Sequence, residues 1–378
     1  MGTGRRRAIE RAVEELPWDL WIAVPAIGLA LFGLVMVHSA SASMKEPNHF
    51  LRMQLAAALI GLLAMIVIQR IDYHILANPV FAYGFLFGCL LLLGLALRSQ
   101  QINGATRWIK LSGLSIQPSE FAKVGLVIFL AWFLAHRERE GRLTNFWLVV
   151  LPAGVVLGLL SVLILREPDL GTTAILVVIF VAMVFSAGVP KLHLLYCAPP
   201  VLGGVLTEIL RKDYRTDRIT SFLNPELDPK GKGYHILQSL KAIGTGGVNG
   251  LGIGRSQSKQ GLLPEPNSDF IFSVIAEELG LIGGGTVILV FGILIWRGLR
   301  AGLRAPDTTG RLLAVGVTAW IGCQSFLNIS VALKLLPTKG ITLPFISAGG
   351  TSLVAVMMAI GILLNVSSQG SGRNAREV

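Results

Sequence analysis

Charge is what this 378-residue chain has least of. Asp, Glu, Lys and Arg make up 15% of it, against roughly a quarter in soluble domains. With 53% hydrophobic residues and a mean hydropathy of +0.65, that scarcity excludes a soluble globular domain and an intrinsically disordered chain. Cysteine is scarce too. Cys89, Cys197 and Cys323 all sit in apolar runs, which excludes a disulfide framework and marks them as small core residues. The six histidines show no H-E-x-x-H or Cys/His spacing, so a zinc site has no footing. No G-x-x-x-x-G-K-S/T element occurs, and the glycine-rich stretch Gly244–Gly254 fits no strict G-x-G-x-x-G register. It reads as an external loop, flexible or tightly turning, rather than a phosphate cradle. Fixed-period repeats and low-complexity tracts are absent as well.

What the chain has instead is long apolar runs. A bilayer core about 30 Å thick needs about 20 residues of helix. The runs that fit are Leu20–Val37, Met53–Gln69, Val80–Leu97, Glu120–Leu134, Phe146–Leu165, Thr172–Ala187, Leu192–Leu210, Phe270–Trp296, Leu312–Ala332 and Thr351–Val366. They predict an all-α membrane protein of about ten transmembrane helices. An even number of spans puts both termini on one side. That side takes fifteen Lys and Arg residues against eight in the opposite short loops, and positive-inside bias makes it the cytoplasm. Residues 1–19 and 368–378 are then cytoplasmic segments, and 20–367 form a single membrane domain. The loop 211–268, between helices 7 and 8, runs against the bias: placed outside, it carries nine basic residues and is treated as a functional exception. Arg5–Arg7, the first run and Ala40-Ser41-Ala42 together imitate a secretory signal, but the run exceeds the usual 7–15 residues of such a core. An uncleaved first helix is the better reading. The net charge of +11 fits basic loops or a phosphate-bearing ligand better than nucleic acid.

Ionisable residues at membrane depth are costly and are functional candidates by default. In Gln117-Pro118-Ser119-Glu120-Phe121-Ala122-Lys123, Pro118 suits the first helical position, and Gln117, Glu120 and Lys123 recur every three residues on one face. The carboxylate and ammonium are either a site or a local ion pair that lets the helix start be buried. Arg166-Glu167-Pro168-Asp169, a short link, is either a second site element or a solvated turn. Leu263 to Phe272 leads into Glu277 and Glu278. There Ser268 or Asp269 could cap the eighth helix, while Glu277 lies about 12 Å further along at 1.5 Å per residue and must face protein or water. Leu336–Thr351, with two prolines and three glycines, suggests a re-entrant or cavity-lining segment. Together these elements suit a ligand with phosphate and sugar hydroxyls reached from the outer leaflet.

At these residues the sequence resembles the SEDS family, the polytopic peptidoglycan polymerases that include FtsW, RodA and SpoVE. The matching stretches are Asn103–Trp108, Gln117–Lys123, Arg166–Gly171, Asn224-Pro225 through Gly233-Tyr234 to Gln238-Ser239, Leu263–Glu278 and Leu336–Ser352, nearly the whole length of the chain. Pro337–Pro344 looks more like the division type, FtsW. Asn267-Ser268 and Ala348 depart from the family's frequent His-Thr and Tyr.

The resemblance implies a glycosyltransferase that uses lipid II at the outer face of the cytoplasmic membrane, with undecaprenyl pyrophosphate leaving and inversion at the anomeric carbon. It puts Asp269 at the family's essential-aspartate position, as the base, with Glu120 and Lys123 shaping the cavity. Arg107, Arg215, Arg218 and Lys241 are candidates for the pyrophosphate, and Glu167, Asp169 and Lys339 for the substrate. Oxygen donors on Glu120 or Asp269 would suit a divalent cation such as Mg or Mn, the one cofactor left open. A class B penicillin-binding protein is the implied partner, with other divisome or elongasome membrane proteins, at the septum if the division type holds. The rivals are a lipid II flippase, for which the internal pseudo-symmetry common in carriers is not visible, and a non-catalytic division scaffold, which has no use for buried carboxylates.

Overall fold

The computed structural model describes residues 19–44, 46–99, 106–111, 114–210, 221–229, 231, 233–259 and 262–374. The helices are α1 (Leu20–Ser41), α2 (Pro47–Arg70), the single turn α3 (Tyr73–Leu76), α4 (Pro79–Ala96), α5 (Pro118–Arg139), α6 (Phe146–Arg166), α7 (Leu170–Ser186), α8 (Lys191–Leu210), α9 (Tyr234–Gly246), α10 (Ile271–Arg304), α11 (Thr308–Ala332) and α12 (Gly350–Asn374). Each of the ten expected spans falls on one of them. Eight are long and apolar enough to cross a membrane, and α7 and α8 accompany them. The fold is a multi-pass helical membrane protein. One antiparallel hairpin, β1 (Ile109–Leu111) with β2 (Leu114–Ile116), stands just before α5. Three-residue strands carry no periodicity to read, and the hairpin was not expected.

Helix starts follow ordinary capping chemistry. Asp19, Asn78, Asn145, Asp169 and Asp307 each accept a backbone N–H in the first turn of α1, α4, α6, α7 and α11. In the middle lies α5, nearly all of it buried, packed chiefly against α4 and α11, while α2, α4, α6 and α10 turn large apolar side chains outward. Leu59, Leu63, Phe87, Val155, Leu281, Ile282 and Leu289 are all more than half exposed, as a hydrocarbon-facing surface requires. The end of the bundle opposite Asp269 is tied by polar contacts: Arg297 pairs with Asp19, Tyr73 Oη donates to Asp307 at 2.9 Å, and Asn365 Nδ2 donates to Gln69 O at 2.7 Å.

The largest departure from expectation lies in α10. Its 34 residues, about 51 Å at 1.5 Å each, are more than a bilayer needs, and the helix is broken at Gly280, where φ is 67° and ψ is −164°. The glycine-rich loop fills the break. Leu251 N and Gly252 N donate to Glu277 O and Glu278 O at 3.0 and 2.9 Å, and Leu281 N and Ile282 N donate to Gly247 O and Val248 O at 2.9 and 3.3 Å. After α9 ends at Gly246, the stretch to Gly254 is the tightly turning alternative, with four glycines of positive φ, and not a flexible loop. It is a backbone patch against a severed helix, and its glycines are required by contact: a Cβ at Gly250, whose φ is 78°, would lie 2.2 Å from Glu278 O. Replacing Gly250 with Ala should lower stability by about 1–3 kcal/mol, through left-handed strain and overlap. Thermal unfolding in detergent checks it, with Gly285→Ala, at a position facing open space, as the variant that should melt like wild type.

Candidate active site

Three segments converge at one end of the bundle: the start of α5, the turn before α10, and the loop between α11 and α12. The first is built as the spacing suggested. Pro118 opens α5, and Glu120 Oε2 and Lys123 Nζ, at i and i+3, stand 2.9 Å apart, both side chains almost wholly buried. Lys123 Nζ also donates to Gln324 Oε1 at 2.8 Å and lies 4.8 Å over the Trp320 ring. Gln324 Oε1 accepts Trp320 Nε1 at 2.7 Å as well, while its Nε2 donates to Thr342 O at 3.0 Å. Here Lys123 pairs with Glu120 and ties α5 through Gln324 to the α11–α12 loop, enclosed by protein.

Asp269 is half-buried in the turn before α10. The expected side-chain cap is not formed there: Phe270 is the N-cap residue, with no side-chain hydrogen bond to the helix start. The turn is held by its backbone instead. Asn267 O accepts Ala348 N at 2.8 Å, Ser268 O accepts Ser347 Oγ at 2.7 Å, and Asp269 O accepts Asn328 Nδ2 at 3.0 Å. These bonds fix the carboxylate against the loop. The point where a Cβ would sit on Gly340 is 3.2 Å from Asp269 Oδ2 and 3.9 Å from Arg107 Nη1, so carboxylate and guanidinium both border that glycine.

Arg107 is fixed by two carbonyls. Its Nε donates to Glu167 O at 2.8 Å and its Nη2 to Pro168 O, whose residue has a φ of 31°. The Glu167–Asp169 link is not a solvated turn, because both carboxylates are buried. Asp169 spends its oxygens on Thr172, taking the backbone N at 3.0 Å and Oγ1 at 2.9 Å, and so caps α7. Neither oxygen of Glu167 has a partner among the described residues. Burial, with Asp169 adding to it and Arg107 opposing, pushes the Glu167 carboxyl up to about 8. The remaining candidates are less closely joined. Lys339 is half-buried beside Gly340, Lys241 is exposed on α9, and Arg215 and Arg218 lie outside the described residues. Among the described residues no three His, Cys, Asp or Glu side chains come together to hold a metal ion.

Lys259 belongs to a cluster that was not foreseen. Its Nζ is 2.9 Å from Glu278 Oε1 and 3.2 Å from Ser39 Oγ, and Ser39 Oγ donates to the same carboxylate at 2.7 and 2.8 Å. Glu277 accepts Ser256 Oγ at 2.5 Å and Gln257 N at 3.0 Å. One of the nine basic residues assigned to the loop is thus a buried ion-pair partner. Only the depth of Glu277 and Glu278 hinted at a need for such partners.

The comparisons agree with this architecture. The sequence model of the FtsW/RodA/SpoVE family, described as "Cell cycle protein", matches residues 20–372. The chain belongs to the FtsW/RodA/SpoVE family. It is 41% identical to stage V sporulation protein E of Bacillus subtilis, over 92% of this chain and 96% of that one. It is 40% identical to a probable peptidoglycan glycosyltransferase FtsW of Geobacter metallireducens, over 94% and 96%. Among solved structures, it resembles a chain of a peptidoglycan synthase complex described as coordinating polymerization and crosslinking, with a TM-score of 0.78 at 30% identity over 94% of this chain and 99% of that one. It also resembles the rod shape determining protein RodA of Thermus thermophilus, with a TM-score of 0.69 at 29% identity, over 93% and 97%.

Glu167 generates a pH prediction. A carboxyl raised in the folded state holds a proton that the unfolded chain releases from its ordinary value of 4.5 upward, so its contribution is complete below that value and is lost as pH rises toward about 8. Melting temperatures of wild type and Glu167→Gln should diverge between pH 5 and 8, with the variant favoured increasingly, and then run parallel. Parallel curves throughout that range would show Glu167 to be ionised with a partner.

Proposed function

We propose that this chain is a peptidoglycan glycosyltransferase that joins lipid II disaccharide units into β-1,4 glycan strands and releases undecaprenyl pyrophosphate. The observation that carries the reading is that the Asp269 carboxylate and the Arg107 guanidinium both border Gly340, in a chain that matches the family over residues 20–372. Asp269 takes the proton of the acceptor sugar's 4-hydroxyl as that oxygen bonds to the anomeric carbon of the growing strand. The bond from that carbon to the pyrophosphate breaks, and its electron pair leaves with the lipid pyrophosphate. One displacement inverts the centre. A positioned base of this kind contributes roughly 10²–10⁴-fold. Fixed positive charge on the leaving group supplies the other part, and we assign it to Arg107. Arg215, Arg218 and Lys241 are assigned to the substrate's phosphates, Glu167 and the Asp169 cap to the wall that holds Arg107, and the Glu120–Lys123 pair to the cavity floor.

The Asp269 end is placed outward, with both termini in the cytoplasm and loop 211–268 on the outer face of one membrane domain. The lipid tail then stays embedded while the sugars lie in the outer cavity. A class B penicillin-binding protein is the partner we assign, supported by the likeness to a chain of a complex that coordinates polymerization and crosslinking. The pathway we assign is septal wall synthesis, supported by relatives named FtsW.

Purified protein, alone and with its cognate class B penicillin-binding protein, should convert labelled lipid II into a glycan ladder. Asp269→Asn should lower that synthesis at least 100-fold while the variant still inserts and still binds the partner. A ladder undiminished in Asp269→Asn would remove the base role. No ladder with wild type, and lipid II crossing vesicle membranes instead, would replace the polymerase with a transporter.

A further inference from the structure

Asn328 sits on α11, 1% exposed, with no charge and no place in the reaction described above. Its side-chain nitrogen spans two segments that are remote in sequence. Nδ2 donates to Asp269 O at 3.0 Å and to Ile341 O at 2.7 Å. A primary amide has two N–H donors, and both are used here on backbone carbonyls. The opposite orientation would set an acceptor oxygen against two other acceptors, so these two bonds determine which way the amide faces. Its oxygen has no partner among the described residues. A buried acceptor left unpaired costs about 1–3 kcal/mol. An apolar side chain of the same size would avoid that cost and would also lose the two donated bonds.

What the two bonds join is informative. Asp269 carries the carboxylate, and Ile341 follows Gly340, the residue against which that carboxylate rests. The amide therefore clamps the backbone of the carboxylate-bearing residue to the backbone next to its wall. Gly340 itself is exposed and has ordinary negative-φ backbone, so its lack of a side chain is not a conformational requirement. It is a spatial one. A methyl there would stand 3.2 Å from Asp269 Oδ2, closer than an ordinary contact, so the carboxylate would have to give by a few tenths of an ångström.

We propose that Asn328 is a positioning residue for Asp269: its amide fixes the distance between the carboxylate and the Gly340 wall where Arg107 also arrives. Displacements of about 1 Å at a reacting group can cost on the order of 100-fold in rate without touching the chemistry directly. The inference rests on the reading of Asp269 as the base. Asn328 acts on the turnover step and not on lipid II binding, because it touches backbone on the protein side only.

The test measures kcat and KM for lipid II polymerisation by the full chain with its partner protein, for Asn328→Leu, Asn328→Gln and Gly340→Ala, with melting temperature alongside. Asn328→Leu should lower kcat at least tenfold and leave KM within threefold of wild type. Asn328→Gln, which keeps the two donors on a longer arm, should recover part of the loss. Gly340→Ala, at an exposed loop position, should lower kcat with KM again little changed, and it carries the test alone if Asn328→Leu does not fold. Wild-type kcat in a folded Asn328→Leu, or in Gly340→Ala where the Leu variant does not fold, would overturn the inference. So would a loss of kcat that is equal in the Leu and Gln variants and matched by loss of folded protein. If Asp269→Asn is inactive while these variants turn over normally, only this inference fails. If Asp269→Asn is active, the underlying reading of the base fails first.

Discussion

Within a bilayer there is no water to satisfy a backbone N–H or C=O that a helix abandons, and each such group left bare costs several kcal/mol. Two irregular segments among the described residues answer to that constraint. The break at Gly280 strands carbonyls and amides in the middle of α10, and the Gly247–Gly252 backbone replaces the missing partners one for one. The loop between α11 and α12 buries Leu343, Phe345 and Ile346, and its carbonyls go to Gln324, Asn328 and Gln54. On α11 the two buried amides, Gln324 and Asn328, are spent on this loop's backbone, while Thr318 and Ser325 bond to the helix's own carbonyls.

The same constraint sorts the charges. Lys123 with Glu120, and Lys259 with Glu278, are buried as pairs, each with further hydrogen bonds on the nitrogen, which is the form in which buried charge is tolerated. Glu167 has no hydrogen-bond partner among the described residues, and burial raises its carboxyl, which favours the protonated form. Asp269 differs from all of these. It is only half-buried, it stands at the end of the bundle rather than along a helix, and its backbone carbonyl takes the Asn328 amide while its carboxylate accepts Ser268 Oγ at 3.4 Å. Anchoring the main chain in this way sets where the Asp269 side chain starts, beside the Gly340 segment.

The helices were legible because apolar runs of bilayer length are a local signal, and the Glu120–Lys123 pair because i,i+3 spacing puts both on one helix face. Asp269, Arg107 and the Gly340 segment were singled out separately, but that the first two both border one glycine of the third is a product of packing between residues far apart in sequence. The break in α10 left no mark in the apolar run Phe270–Trp296, since one glycine among 43 announces nothing about φ. Lys259 was counted with the surface cations because a lysine's burial depends on a partner, Glu278, that reaches it only once the glycine-rich loop has folded against α10. Asn328 was invisible for a similar reason: it is a neutral residue within an apolar run, and its role consists of two carbonyls supplied by other segments.

These separate repairs have a joint consequence for the site. Downstream of Gly280, α10 is long enough to cross a bilayer without its first nine residues, Ile271 to Leu279. That short stretch is anchored apart from the crossing part. Ser273 Oγ meets Ser239 Oγ at 2.7 Å, which in turn reaches Ala332 O at 2.7 Å, and Glu277 and Glu278 are held by the loop at 256–259 and by Ser39. The turn bearing Asp269 is therefore located by α1, α9, α11 and the loop before α12, and the register of the transmembrane part of α10 does not enter. A continuous helix would have carried the carboxylate wherever packing in the bilayer required. The severed one lets bilayer packing set one half while the surrounding loops set the other, and that separation accounts for a costly glycine break that helix propensity alone would disfavour.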